Sequence, residues 1–452
     1  MLKYEYGEFM RFVSTRDNTH EVSFKQAVLD CMPCDGGLYV PSDNSEDLRR
    51  WILYADENTS FASLAGSLTS ALINKEFSPI ICETIASKAF PIDPVLKKLD
   101  DNLFLMELYN GPTGTFKDYG VSYLASVLET ILTMDGEKSI LLDATSGELG
   151  ACMAKALRGK HLLKSVLVAP KGKLRSLEEE DFVWNGGNIY PIEVDGTVED
   201  CHNLVRKIFS ERSLVEKYHL TVANTANIGR LLPQAFFYTY AFSHLKKLVT
   251  GDMYYALGAG NYGTLVSGLY GWRLALPVNG FIVPSSPELL RDTMGNCVVP
   301  DSIVPLNDRN ATDPSEPSNI ERLEHVFKVN SLILKSFVYP AELKNEDVDN
   351  ACKELFVKYN VFADKDLASA YAAALMRKET TKRDDGSVVL ISRTSPALDK
   401  DFVKHNTGEV LELGSKLSGA FKPVTLGRKA IAPEDIESLI SVLNSLNLLR
   451  LF

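Results

Sequence analysis

The sequence predicts an α/β fold with a doubly wound, mainly parallel sheet, and three observations predict it. From residue 139 onward, apolar runs of strand length alternate with stretches of helical spacing, the rhythm that lays helices over both faces of a parallel sheet. Several runs end in Gly-, Thr- or Ser-bearing turns that open helices, at 111–117, 145–150 and 258–263. At 452 residues the chain is too long for one ordinary core, so two or three domains are expected.

Composition narrows the class further. Hydrophobic residues make up 45% and charged residues 24%, as in a globular protein with a packed interior. A net charge of −11 disfavours nucleic acid and anionic membrane surfaces, both of which need a basic field. The start, Met-Leu-Lys-Tyr-Glu, has no apolar run of signal length, and no later run reaches the ~20 residues of a membrane span, so a cytoplasmic protein is expected. Cys31 and Cys34 form a lone Cys-x-x-Cys, the other cysteines and the histidines are scattered, and no metal site is expected.

In chain order, residues 12–16 read as a strand, 22–29 as a helix behind a Ser cap, and 35–41 as a turn, strand and stop. The apolar run 103–108 is broken at Gly111-Pro112, and an amphipathic pattern restarts at Val121. Lys117 therefore stands where a strand gives way to a helix, on the ligand-binding side of an α/β sheet. Between Phe116 and Tyr119 a lysine can lose hydration, which disfavours the ammonium form and frees an amine that attacks carbonyls. The plainer reading is a solvated lysine, with Asp118 complementing the helix dipole.

Strands follow at 139–143, 165–170 and 187–193, and helices at 151–157, 197–212 and 230–245. The Thr145-Ser146-Gly147 turn offers unpaired helix amides to an anion, although a simple Ser/Thr cap is the commoner use. Strand 254–257 runs into Gly258-Ala-Gly-Asn-Tyr-Gly263, where backbone can approach a phosphate closely, of a cofactor or equally of a nucleotide. Residues 284–319 read as a long loop, 347–359 and 366–376 as helices, and 387–392 as a last core strand.

Gly-Pro-Thr-x-x-Phe-Lys-Asp (111–118) resembles the pyridoxal-phosphate lysine motif of threonine synthases, and Ser14-Thr-Arg16 with Gly36-Gly-Leu-Tyr-Val-Pro41 resembles the opening of their longer bacterial and fungal type. Thr-Ser-Gly-x-x-Gly (145–150) resembles the family's substrate-carboxylate loop, with Glu148-Leu149 in place of Asp-Thr. The 258–263 turn resembles its cofactor-phosphate loop, with Ala259 in place of Ser, and Lys171-Gly-Lys173, 224–234 and 317–323 resemble further segments. The C-terminal motifs depart: Asp366 stands where relatives carry His, and Arg393-Thr-Ser-Pro396 replaces Thr-Ala-His-Pro.

This resemblance implies a fold-type II pyridoxal-phosphate enzyme with an N-terminal unit (1–95), a large catalytic domain (96–129 and 223–452) and a smaller α/β domain (130–222). It implies conversion of O-phospho-L-homoserine and water to L-threonine and phosphate by a monomer or homodimer. Lys117 is then the Schiff-base lysine and proton-transfer base. Phe116, Gly258, Ala259, Gly260, Asn261, Tyr262, Gly263 and one or more of Ser392, Arg393 and Thr394 are expected at the cofactor. Thr113, Thr145, Ser146, Gly147, Glu148, Lys173, Asn227 and Arg230 are expected at the substrate, the basic residues for its phosphate. The departures at Asp366, Arg393 and Ser395 leave open a diverged lyase or dehydratase on the same cofactor, and a catalytically silent binding protein is a third reading.

Overall fold

The computed structural model describes residues 11–42, 49–73, 76–160, 162–249, 251–329, 335–381 and 386–448. Strands β1 (Phe12–Ser14) and β2 (Tyr39–Pro41) pair antiparallel around the helix Phe24–Asp30, whose Ser23 cap accepts the Gln26 amide at 3.1 Å. Two helices then appear that no amphipathic stripe announced, Phe61–Ile73 and Pro79–Ala89. The first is buried at Phe61, Leu64, Ala65, Gly66, Leu68 and Thr69, and so lacks the polar face that betrays a surface helix.

Strands β3 (Val95–Asp100) and β4 (Leu103–Glu107) precede the helix Lys117–Asp135. Next come β5 (Ile140–Ala144), β6 (Lys164–Pro170), β7 (Ile189–Val194) and β8 (Leu220–Thr221), which form an all-parallel sheet in the order β7-β6-β5-β8. The chain continues through β9 (Asp252–Ala256), β10 (Gly280–Pro284), the short antiparallel pair β11 (Leu290–Arg291) and β12 (Cys297–Val298), β13 (Val338–Ala341) and β14 (Gly386–Ser392). A six-stranded sheet has the order β13-β10-β9-β14-β4-β3, parallel throughout except at the β3–β4 edge.

Strand alternation decides what each face of that sheet buries. Phe104, Met106, Tyr255, Phe281, Val283, Val389 and Ile391 point into one core, which also takes residues of the helices Lys117–Asp135, Ala235–Leu245 and Gly263–Arg273. Their neighbours Leu105, Ala256, Ile282 and Leu390 point into the other, under the helices Asn345–Tyr359 and Lys365–Thr381. The smaller sheet works the same way: Ile140, Leu142, Val166 and Val168 face the helix Val198–Ser210. Leu439, Leu443 and Leu446 of the last helix, Ile436–Leu448, join that smaller core, whereas the sequence division had put the whole of 223–452 in the large domain.

Within the large sheet β4, β14 and β9 are adjacent and parallel, so their C-terminal loops meet at one edge. The β5 loop reaches the same place from the other sheet. Among the described residues no helix is long and apolar enough to cross a membrane.

Candidate functional site

The lysine turn is zipped to the end of β14 by backbone bonds. Leu108 N donates to Ser392 O at 2.9 Å, Phe116 N to Arg393 O at 2.7 Å, and Ser395 N to Gly114 O at 2.8 Å. Asp118 closes the turn from inside by accepting Thr113 N and Thr113 Oγ, both at 2.8 Å, and burial holds this carboxyl above the usual range. The helix begins at Lys117 itself, four residues before the apolar pattern resumes. Lys117 Nζ donates to Glu148 Oε2 at 2.5 Å, with the lysine side chain 34% exposed. Its aromatic neighbours therefore leave it wetter than the sequence suggested, and the partner is an acid from the other sheet.

Two departures from the family pattern turn out to be one feature. Arg393, buried, makes a bidentate pair with Asp366, Nε to Oδ2 at 2.9 Å and Nη2 to Oδ1 at 2.5 Å, and Nη1 lies 3.3 Å from Thr264 Oγ1. Burial works against the guanidinium charge, but Asp366 outweighs it and holds Arg393 above its ordinary range. The pair fits only because the adjoining turn lacks side chains. A Cβ on Gly258 would stand 1.8 Å from Asp366 Oδ1, and Gly260, at φ +50°, would meet Arg393 Nη1 at 3.0 Å. The turn ends in Tyr262, left-handed at φ +62°, which leads into the helix Gly263–Arg273. Asn261 ties it to Thr225 Oγ1 at 2.9 Å and Pro317 O at 3.0 Å.

Opposite, Thr145 Oγ1 accepts the amides of Gly147 and Gly150, each at 3.0 Å. That hydroxyl serves as the plain cap, and Ser146 is left exposed at the rim. Arg230 is 3% exposed, its Nε and Nη1 have no hydrogen-bond partner among the described residues, and burial lowers it to about 10. Its guanidinium lies 5.8 Å from the Phe116 ring, which Arg393 flanks at 5.5 Å.

A cavity of about 470 Å³ gathers Phe116, Lys117, Thr145, Ser146, Glu148, Arg230, Gly260, Asn261, Arg393 and Thr394. It also takes in His202, Asn224, Thr225, Glu316 and Asp366, which no motif singled out by role. Other expectations are corrected. Thr113 is fully buried and spends its hydroxyl on Asp118. Asn227 is equally buried: it caps the short helix Ile228–Leu231 at Gly229 N and donates to Val28 O at 2.8 Å. Lys173 is exposed and does not line the cavity. Tyr262 turns away, its hydroxyl bonded to Ser286. Ser392 Oγ is buried with no partner among the described residues, behind the lining.

Two sheets, one all-parallel and one mainly parallel, meeting at a lysine that starts a helix, across from a glycine-rich strand-to-helix turn, define the fold-type II class of pyridoxal-phosphate enzymes. Residues 11–90 match the family model for the threonine synthase N terminus. The chain is 30% identical to the threonine synthase of Serratia marcescens over 415 residues, 90% of this chain and 94% of that one. It is also 30% identical to that of Escherichia coli K12 over 417 residues, again 90% and 94%. The crystal structure of Escherichia coli threonine synthase superposes with TM-score 0.74 at 25% identity, covering 96% of this chain and all of that one. A pyridoxal-phosphate-bound threonine synthase from Brucella melitensis gives TM-score 0.77 at 20% identity, covering 97% and 99%, which supports the fold. The chain belongs to the threonine synthase family.

Proposed function

We propose that the protein converts O-phospho-L-homoserine and water to L-threonine and phosphate with pyridoxal phosphate as cofactor. The observation that carries this reading is the convergence on one cavity of Lys117, the 258–263 turn and Arg230, whose Nε and Nη1 have no partner among the described residues. The cofactor fits these residues: the turn opens the eleven-residue helix Gly263–Arg273, whose first amides favour a phosphate, and Ser392 holds an unused buried hydroxyl beside Arg393. Lys117 would hold the cofactor, the backbone of Gly258, Ala259, Gly260, Asn261, Tyr262 and Gly263 its phosphate, and Phe116, Arg393 and Thr394 its ring, with the Ser392 hydroxyl behind that lining. Pyridoxal phosphate supplies a ring that accepts electrons from the substrate's α-carbon.

The remaining work belongs to side chains of this protein. Once released by the substrate amine, the Lys117 amine takes a proton from Cα and then one from Cβ; the phosphate leaves from Cγ, a proton returns there to make the methyl group, water places its hydroxyl on Cβ, and the last proton goes back to Cα. Glu148, at 2.5 Å, accepts a hydrogen bond from that amine whenever it carries the extra proton. Arg230 pairs with the departing phosphate, and the desolvation that makes its lone charge costly makes the pairing strong. The Thr145–Gly147 turn holds the substrate carboxylate on the far side. Purified protein loaded with pyridoxal phosphate is expected to yield threonine and phosphate in equal amounts from O-phospho-L-homoserine, and Lys117→Ala to lose that turnover. A keto acid without threonine, or a Lys117→Ala variant that still turns over, would overturn this reading.

A further inference from the structure

Behind the lysine turn lies a second cavity, of about 370 Å³, that the proposed reaction does not use. One wall is apolar, with Phe90, Ile92 and Tyr119; the other carries Lys88, Lys155 and Lys160. These ammonium groups are poorly neutralised. Lys160 Nζ reaches Ser126 Oγ at 3.5 Å, and the nearest acid to Lys155 is Glu178 at 4.0 Å. No ion pair forms at Lys88 or Lys160 among the described residues, and Arg158, also on the wall, is already taken by Asp181 at 2.6 Å and Glu178 at 3.0 Å. Two acids stand near without filling the gap: Asp118 is occupied by Thr113, and Glu129 accepts Leu163 N. Tyr119 is 4% exposed, and its hydroxyl is buried with no hydrogen-bond partner among the described residues. Apolar walls, unpaired cations and an orphaned hydroxyl are the complement of one kind of molecule.

We propose that this cavity binds a small organic acid, an anionic group on a compact apolar body, with the anion on Lys88 and Lys160 and accepting from the Tyr119 hydroxyl, and the body against Phe90 and Ile92. Gly111, Pro112 and Asp118 form its floor, and on the other side of that same turn stands Lys117. An occupant therefore touches the segment that positions the reactive amine, and the site is an effector site rather than an extension of the first cavity.

The test is calorimetric titration of the cofactor-loaded protein with phenyl phosphate and with benzoate, and it needs no turnover. Beyond any probe held by Arg230 in the first cavity, one probe molecule should bind per chain at this site, phenyl phosphate more tightly if the natural ligand is a phosphate ester and benzoate if it is a carboxylate. Lys88→Gln with Lys160→Gln should weaken binding at least about tenfold, and Tyr119→Phe, which keeps the ring and hence the packing, about fivefold, the effect of one lost hydrogen bond. In Arg230→Gln, which removes the phosphate partner of the first cavity, the binding that depends on Lys88 and Lys160 should persist. No saturable binding of either probe, affinity unaltered in the lysine or tyrosine variants, or loss of binding in Arg230→Gln would each overturn the proposal.

Discussion

Asp366→Asn removes one charge from the Arg393 pair while keeping its shape, which makes it the sharpest test of how the site is assembled. Breaking a buried pair from one side costs about 3–5 kcal/mol because the surviving charge is stranded. Here the Arg393 side chain is 8% exposed and that of Asp366 27%, so water screens part of the loss. The expected cost is then roughly 2–3 kcal/mol. Thr264 cannot make up the difference, since its hydroxyl is neutral and 3.3 Å from Nη1. Arg393→Met keeps the stem without the charge and leaves Asp366 able to turn toward solvent, so it should cost less. In the double variant neither member of the pair is left to be stranded, Asp364 losing Arg393 in the double variant as in Arg393→Met alone, and a double-mutant cycle should return a coupling of about 2 kcal/mol. The assay is denaturant unfolding followed by Trp272, which sits on the helix that begins at Gly263, in a background carrying Trp51→Phe and Trp184→Phe. A loss below about 0.5 kcal/mol for Asp366→Asn, or costs that simply add, would refute the view that the two departures compensate each other.

Three further outcomes follow from the same structure. Arg230→Gln removes a buried charge with unpaired nitrogens, so the cofactor-free protein should gain about 1–2 kcal/mol in denaturant unfolding while KM for the phosphate substrate rises at least about tenfold. Gly258→Ala drives a methyl to 1.8 Å from Asp366, and should cost about 1–3 kcal/mol and weaken cofactor binding, read by fluorescence titration. Asp143 is buried, accepts only Ala223 N among the described residues, and is pushed by burial up to about 7 from an unfolded value near 3.8. Because the folded value is the higher one, its contribution is fully present below about pH 4 and is lost as pH rises through 7. Asp143→Asn should therefore flatten that decline and be the more stable protein at pH 8, by at most about 4 kcal/mol; parallel pH profiles for variant and parent would count against this.

What could be read from the residues, and what could not, divides along physical lines. Central strands such as residues 140–144 and 387–392 stood out because they are buried on both faces and their apolar runs are bounded by turn residues, whereas the exposed edge strand β3, the two-residue β8, and β10 and β13 were not read. Helix Phe61–Ile73 did not, because burial on most sides erases the periodicity that signals a helix. Lys117, Thr145 and the 258–263 turn were legible as strand-to-helix junctions, and sheet order then brought them together. Asn227 and Thr113 misled because a short polar side chain near a turn is as readily spent on the local backbone as on a ligand. The pairing of Asp366 with Arg393 was invisible for a different reason. The residues are 27 positions apart on separate elements, and each reads alone as a lost motif residue; only the packing of the helix Lys365–Thr381 beside the end of β14 shows them as a unit.

The site's dependence on two sheets explains why the C-terminal segment matters to it. Lys117 belongs to the large sheet and Glu148 to the small one, so their contact spans the two domains, and with side chains 34% and 47% exposed it is too weak to fix the domains by itself. Past the helix Lys400–Thr407 the chain lays Leu417 over Gly114 in the lysine turn. It then runs along the small domain, with Ser176 N donating to Lys422 O and Val424 N to Leu174 O, each at 3.2 Å, and Ile431 N to Glu193 O at 2.8 Å. Arg428 stacks 3.6 Å from the Trp184 ring before Leu439, Leu443 and Leu446 enter the small core. This segment is fastened along its length to the small domain and touches the large one at the lysine turn. The Thr145–Glu148 turn is therefore held beside the reactive amine by more than an exposed ion pair: the tether adds to a shared core in which Cys152, Met153 and Ala154 of the helix Glu148–Leu157 lie with Tyr119 and Leu124, and Thr113 Oγ1 stands 3.1 Å from Cys152 Sγ.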